Sequence, residues 1–140
     1  MAGFLLDTNV ISEFGRDQPS RRILDFLAEK PLETLFVSDI VLAEIRFGIE
    51  LLDDKARRRH YDNVLNNDIR PMFAERILSA GEETWLIWKR IERAGRLRRY
   101  TFQQPDLIIA ALALEHDMTI VTRDVVPFQQ AGVRHINPWT

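Results

Sequence analysis

The chain has 140 residues, 46% of them hydrophobic and 29% charged, with a net charge of −2 and no cysteine. That length suits one domain spanning residues 1–140, and the composition is that of an ordered globular chain rather than a disordered one. Without cysteine there are no disulfides, zinc–thiolate sites or thiol nucleophiles, and a small net charge leaves nucleic-acid binding to be decided by where the charges lie.

In chain order, Gly3 to Leu6 reads as a short buried strand ending at Asp7. Ser20 to Lys30 carries Ile23, Leu24 and Leu27 on one side, the spacing of a helix. Thr34 to Val37 reads as a second strand, and Ser38 is placed to cap a helix starting at Asp39. That helix sets Val41, Leu42, Ile45, Ile49 and Leu52 on one stripe. Asp54 to Asn67 reads as a further helix, and Arg76 to Leu78 as a short strand. Glu82 to Ala94 is helical, with Gly95 as its expected stop. Pro105 suits the first turn of a helix running to about His116. Met118 to Val121 and Val133 to Ile136 complete the strands. Short strands alternating with helices imply right-handed crossovers and a mostly parallel sheet of about five strands between helices, an α/β fold. No apolar run approaches the roughly 20 residues of a membrane span. The N-terminus lacks the basic region of a secretory signal, so the expected location is the cytoplasm.

Sites in parallel sheets form beyond the carboxyl ends of the strands. Asp7 directly follows the first strand, and Asp124 follows the Met118 to Val121 strand by three residues. Asp106 opens its helix. Glu44 lies about 60° from Val41 and about 100° from Ile45 around its helix, at the border of the apolar stripe. Each acid alone also suits a local role, as a cap, a turn residue, a macrodipole partner or a solvated side chain. Together they are expected to converge at one end of the sheet. Clustered carboxylates repel one another unless a cation neutralises them, and an all-oxygen donor set favours a hard ion, Mg²⁺ or Mn²⁺. Neither a G-x-x-x-x-G-K-[ST] loop nor G-x-G-x-x-G is present. The three histidines share no ligand spacing.

The stretches L-L-D-T-N-V-I-S-E, V-S-D-I-V-L-A-E-I-R-F-G-I, P-D-L-I-I-A-A-L-A-L-E-H-D-M-T-I-V-T-R-D and the closing I-N-P-W resemble a PIN domain. Within that family they are similar to the VapC and FitB-like toxins of bacterial toxin–antitoxin modules. The resemblance spans essentially the whole chain. It implies an α/β/α sandwich and a magnesium-dependent endoribonuclease whose acidic site maps onto Asp7, Glu44, Asp106 and Asp124, with Mn²⁺ as a possible substitute. Thr8, Asn9, Ser38 and Thr122 match the polar positions around those acids. The chain departs from the usual pattern at Pro127, where many relatives carry an acid or asparagine, and at Gln103, Gln104 and Pro105, where many carry small residues. The resemblance further implies an RNA substrate, a cognate antitoxin protein, a homodimer, and promoter DNA reached only through the antitoxin.

The segment from Lys89 to Tyr100 holds Lys89, Arg90, Arg93, Arg96, Arg98 and Arg99 against a single acid. Arg96, Arg98 and Arg99 are candidates for RNA-backbone contact, and Arg57-Arg58-Arg59 forms a second basic cluster. Solvated helix faces, or a landing site for an acidic antitoxin segment, explain both runs equally simply. Trp85, Trp88 and Ile91 suggest part of a homodimer contact. Two other functions fit the same residues: a DNA-bound toxin–antitoxin regulatory module with weak or latent nuclease activity, and a processing nuclease acting on DNA or structured RNA.

Overall fold

The structure, a computed structural model, describes residues 3–140. Five short strands form one parallel sheet: β1 (Phe4–Leu6), β2 (Leu35–Ser38), β3 (Ile77–Leu78), β4 (Thr119–Val121) and β5 (His135–Ile136), in the order β3-β2-β1-β4-β5. The α/β expectation is met. Register in the centre pairs Leu5 with Phe36 on one side and Leu6 with Val121 on the other. The chain winds outward from β1 through β2 to β3, then returns to β4 on the other side of β1. The order of connection therefore reverses between β1 and β4, the kind of crevice in which parallel sheets build sites.

Helices cover the faces: α1 (Thr8–Ile11), α2 (Arg21–Ala28), α3 (Asp39–Glu50), α4 (Lys55–Asn63), α5 (Arg70–Met72), α6 (Glu82–Leu97), α7 (Asp106–Glu115) and α8 (Val126–Gln130). Among these, α7 is buried nearly all round, from Leu107 to Ala113. Its three alanines let α6 pack closely against it, and the sheet residues Leu5, Leu6, Ile120 and Val121 are completely buried. Ser38 closes β2 and caps α3, its Oγ accepting from the Val41 N–H at 3.4 Å. Ser20 caps α2 in the same way through the Ile23 N–H.

Two expectations about helix ends are corrected. Gly95 does not stop α6, which continues to Leu97; Arg99, at φ 63°, makes the left-handed turn instead. Gly95 is needed for close approach. A Cβ there would stand 2.6 Å from the Phe102 ring and 2.9 Å from the Tyr100 carbonyl. The helix expected over Asp54 to Asn67 is also a composite. α4 passes at Val64–Ile69 into a π-helical turn and then into α5, which ends just past Pro71. No helix among the described residues is long and apolar enough to cross a membrane.

Candidate active site

The C-terminal ends of β1 and β4 release the chain side by side. Because Leu6 pairs with Val121, the next residues outward, Asp7 and Thr122, face one another across the crevice. The Asp7 N–H donates to the Val121 carbonyl at 3.0 Å, extending the ladder by one bond. The residue is only 6% exposed. Oδ1 accepts from the Thr8 N–H at 2.8 Å and so caps α1, while Oδ2 accepts from the Thr122 hydroxyl at 2.8 Å. Thr122 Oγ1 in turn accepts from the Asp124 N–H at 3.1 Å and from Asn9 Nδ2 at 3.4 Å. Asn9 Oδ1 accepts from the Arg123 N–H at 3.3 Å. This lattice ties the turn after β4 to the turn after β1.

One cavity of about 420 Å³ opens above it, and among its walls are Asp7, Glu44, Asp106 and Asp124. Four segments supply them: the end of β1, the middle of α3, the first residue of α7 and the turn after β4. Asp7 and Asp106 are drawn in, whereas Glu44 and Asp124 lie exposed at the rim. Burial pushes the Asp7 carboxyl up from 3.8. The bonds from Thr122 and Thr8 oppose that rise, while the charges of Asp124 and Glu44 add to it. Asp106 is pushed up to about 6, by burial first and then by Asp7, Asp124 and Glu44. The four acids therefore share an electrostatic neighbourhood, and perturbed carboxylates gathered in a cleft mark a candidate functional site.

The polar residues expected around the acids divide. Thr8, Asn9 and Thr122 reach the site, while Ser38 is fully buried as the cap of α3 and is absent from the cavity wall. Thr8 Oγ1 is buried and has no hydrogen-bond partner among the described residues. Sequence reasoning passed over four further wall residues, Ser12, Glu13, Arg16 and Arg123. Glu13 is 3% exposed, and its Oε2 accepts from Arg16 at 2.8 Å and its Oε1 from the Ser20 N–H at 2.6 Å. That fifth acid is thus already neutralised by Arg16. Arg123 stands between Thr122 and Asp124, where the T-R-D triplet itself was the available signal. Arg96, Arg98 and Arg99 are not part of this wall. Arg96 pairs with Glu92 at 3.4 Å, and Arg98 donates to the Gln130 carbonyl at 2.6 Å.

Trp85 is half-exposed and meets Trp88 edge to face at 6.2 Å, but Ile91 is buried in the core and cannot share an outward face with them. His60 is held by the Gly15 carbonyl and His135 by that of Val133, and neither lines the acidic cavity.

The fold and this placement of acids define an α/β domain with a carboxylate site at its switch point. The PIN domain family model matches residues 4–133. The chain belongs to the PIN domain family. It is 38% identical to Toxin FitB of Neisseria gonorrhoeae over 135 residues, 96% of this chain and 97% of that one. It is 34% identical to VapC ribonuclease Y4jK of Sinorhizobium fredii, over 96% of each chain. Among solved structures, FitAB bound to an IR36 DNA fragment is similar with a TM-score of 0.91 and 37% identity, over 98% of this chain and 96% of that one.

Proposed function

We propose that the chain is a metal-dependent endoribonuclease and the toxin of a toxin–antitoxin pair, residues 1–140 acting as one domain. The observation that carries this reading is the meeting of four carboxylates from four segments in one cavity between β1 and β4. Similarity to a ribonuclease and to a toxin, each over nearly the whole length, supports it.

The donor set fits a hard divalent cation. It offers only oxygens, two of its acids have raised pKa values that a cation would relieve, and the Thr8 hydroxyl is left without a partner. Among the described residues no three acidic or imidazole side chains form a ready-made ligand group. Mg²⁺ keeps several waters and takes one or two carboxylates together with substrate phosphate; Mn²⁺ is the substitute. Asp7, Asp106 and Asp124 would hold it directly or through water, with Glu44 completing the shell. When bound, the ion lowers the pKa of a water and offsets charge growing on the phosphate.

The chain's own residues do the rest. Thr122 fixes the Asp7 carboxylate through a hydroxyl donor, a bond that favours the ionised form and offsets part of the cost of burial. Asn9 and the Asp124 N–H hold Thr122 in place. Arg123 lines the cavity with the acids and is suited to a flanking phosphate, with Arg96, Arg98 and Arg99 as more distant backbone contacts. No histidine lines the cavity among the described residues, so deprotonation by an imidazole is not part of the scheme. Product ends should be 5′-phosphate and 3′-hydroxyl. A cognate antitoxin holds the enzyme inactive, and a homodimer is formed with Trp85 near the contact. A cytoplasmic location accompanies this role.

The test is cleavage of bacterial RNA by antitoxin-free protein in Mg²⁺ and in EDTA, beside Asp7→Asn. Discrete fragments that need both the ion and Asp7 support the ribonuclease. Identical patterns from folded wild type and variant would favour the second reading, a regulator that binds promoter DNA through its antitoxin. That reading has its own support in the similar FitAB structure bound to DNA.

A further inference from the structure

A second polar cavity, of about 480 Å³, lies beyond the acidic one and is lined by Arg46, Arg58, Arg70, Glu50, Asp62 and Asn66 among others. Three guanidiniums from three elements meet there: Arg46 on α3, Arg58 on α4 and Arg70 at the start of α5. Its two acids, Glu50 and Asp62, leave the three arginines one positive charge in excess and form no close ion pair with them. Glu50 is four residues from Arg46 and Asp62 four from Arg58, the spacing of helical ion pairs. Yet neither pair comes within 4.0 Å, and none of the three arginines has an ion-pair partner among the described residues. Arg58 Nη2 donates to the Leu52 carbonyl at the end of α3, which fixes the side chain, while its Nε is buried without a partner. Arg70 Nε donates to Asn66 Oδ1 at 3.0 Å. The π-helical turn Val64–Ile69 lies under the cavity, supplying Leu65 and Asn66 and setting where Arg70 emerges. Such turns cost hydrogen-bond geometry and recur at functional sites.

Planar guanidiniums with spare donors are matched to phosphate, which accepts bidentate pairs. We propose that Arg46, Arg58 and Arg70 form a phosphate-binding site that anchors the backbone of a single-stranded nucleic acid away from the scissile position. The site deepens the ribonuclease reading and rests on it for the identity of the strand. The three cavities succeed one another around α3, with Arg46 about 200° from Glu44. Glu44 lines the acidic cavity, Ile45, Gly48 and Ile49 line an intervening groove, and Ile49, Arg46 and Glu50 line the arginine cavity. The groove carries Arg57 on its wall, together with Arg16, whose charge is paired with Glu13.

The test uses Asp7→Asn protein in EDTA, so that RNA is bound and not cut. Fluorescence anisotropy with a labelled single-stranded RNA, run across a salt series, compares this parent with Arg46→Gln/Arg70→Gln added. The control is Arg21→Gln/Arg22→Gln, which removes the same charge from α2. Losing one phosphate contact should flatten the slope of log K against log salt by about 0.7 and weaken binding roughly tenfold at low salt, with the control near the parent. Arg58 is left intact because it also ties α4 to the end of α3. In a second arm, inorganic phosphate should raise the melting temperature of the parent and not of the Arg46/Arg70 variant. If RNA slope and affinity match the parent, or fall equally in the control, the backbone anchor is overturned. A phosphate shift that survives only in the parent would then assign the cavity to free phosphate instead. If the parent binds no RNA, the ribonuclease reading fails, and the phosphate arm still decides the site.

Discussion

Asp106→Asn should make the metal-free protein more stable at pH 7.5 while removing RNA cleavage. Asp106 opens α7, half-buried, with its carboxyl pushed up from 3.8 to about 6 by burial and by Asp7, Asp124 and Glu44. A folded pKa above the unfolded one means that folding disfavours the ionised form. The penalty is full above about pH 6, lessens as pH falls through 6, and is gone below about 3.8. At about 1.36 kcal/mol per pH unit, the gap between those values sets a ceiling of about 3 kcal/mol. Solvent reaches this side chain, and screening lowers the figure to about 1 kcal/mol. For 140 residues, an unfolding entropy of about 2.1 cal/mol/K per residue turns that into a rise of about 3 °C. Thermal melts in EDTA at pH 7.5 and pH 5 make the comparison. The variant should melt higher at pH 7.5, and the gap should narrow at pH 5, where the wild-type carboxyl is largely protonated. A variant that melts several degrees lower, or a gap equal at both pH values, would refute the argument that burial and the neighbouring acids disfavour the ionised Asp106.

Thr122→Val removes the hydroxyl that donates to Asp7 and accepts from the Asp124 N–H, so the Asp7 pKa should climb further. Cleavage in Mg²⁺ should drop about 10- to 100-fold, and the acid limb of its pH profile should move to higher pH. Glu13→Gln weakens charge-assisted bonds to Arg16 and the Ser20 N–H at a buried position, and should lower stability by about 1–3 kcal/mol in a denaturant titration. Two helical glycines should respond in opposite directions. Gly48→Ala meets nothing within 4 Å and should stabilise by about 0.5–1 kcal/mol. Gly95→Ala drives a methyl into the Phe102 ring and the Tyr100 carbonyl and should destabilise by about 1–3 kcal/mol.

What could be read in the sequence was whatever depends on local periodicity. Short apolar runs and 3.6-residue stripes gave the strands and the longer helices to within a few residues. Asp7, Glu44, Asp106 and Asp124 could be picked out because they sit just past a strand, beside a helix stripe or in a helix's first turn, positions that the fold class directs toward one edge of the sheet. What escaped depends on neighbours distant in sequence. α1 is only four residues long, too short to show a period. Gly95 looked like a stop because glycine is common there, and only the approach of Phe102 explains it. Glu13 and Arg16 neutralise each other inside the cavity wall, yet in sequence they are two ordinary surface charges. The π-helical turn follows from no residue in V-L-N-N-D-I taken singly.

The central strand pair shows why the acids nonetheless form one site. Asp7 and Thr122 are 115 positions apart, and their bond is available only because Leu6 lies opposite Val121. Slipping that register by one residue would turn Leu6 or Val121 to the wrong face of the sheet and bury a polar neighbour in its place. Leu5, Leu6, Ile120 and Val121 are all completely buried, so hydrophobic packing holds the register against such a slip. The core therefore fixes, within one residue, where the buried carboxylate meets its hydroxyl donor. Asp106 is brought to that buried carboxylate from α7, and its own burial, with the neighbouring acids' charge added, is why neutralising it is expected to raise stability without altering the fold.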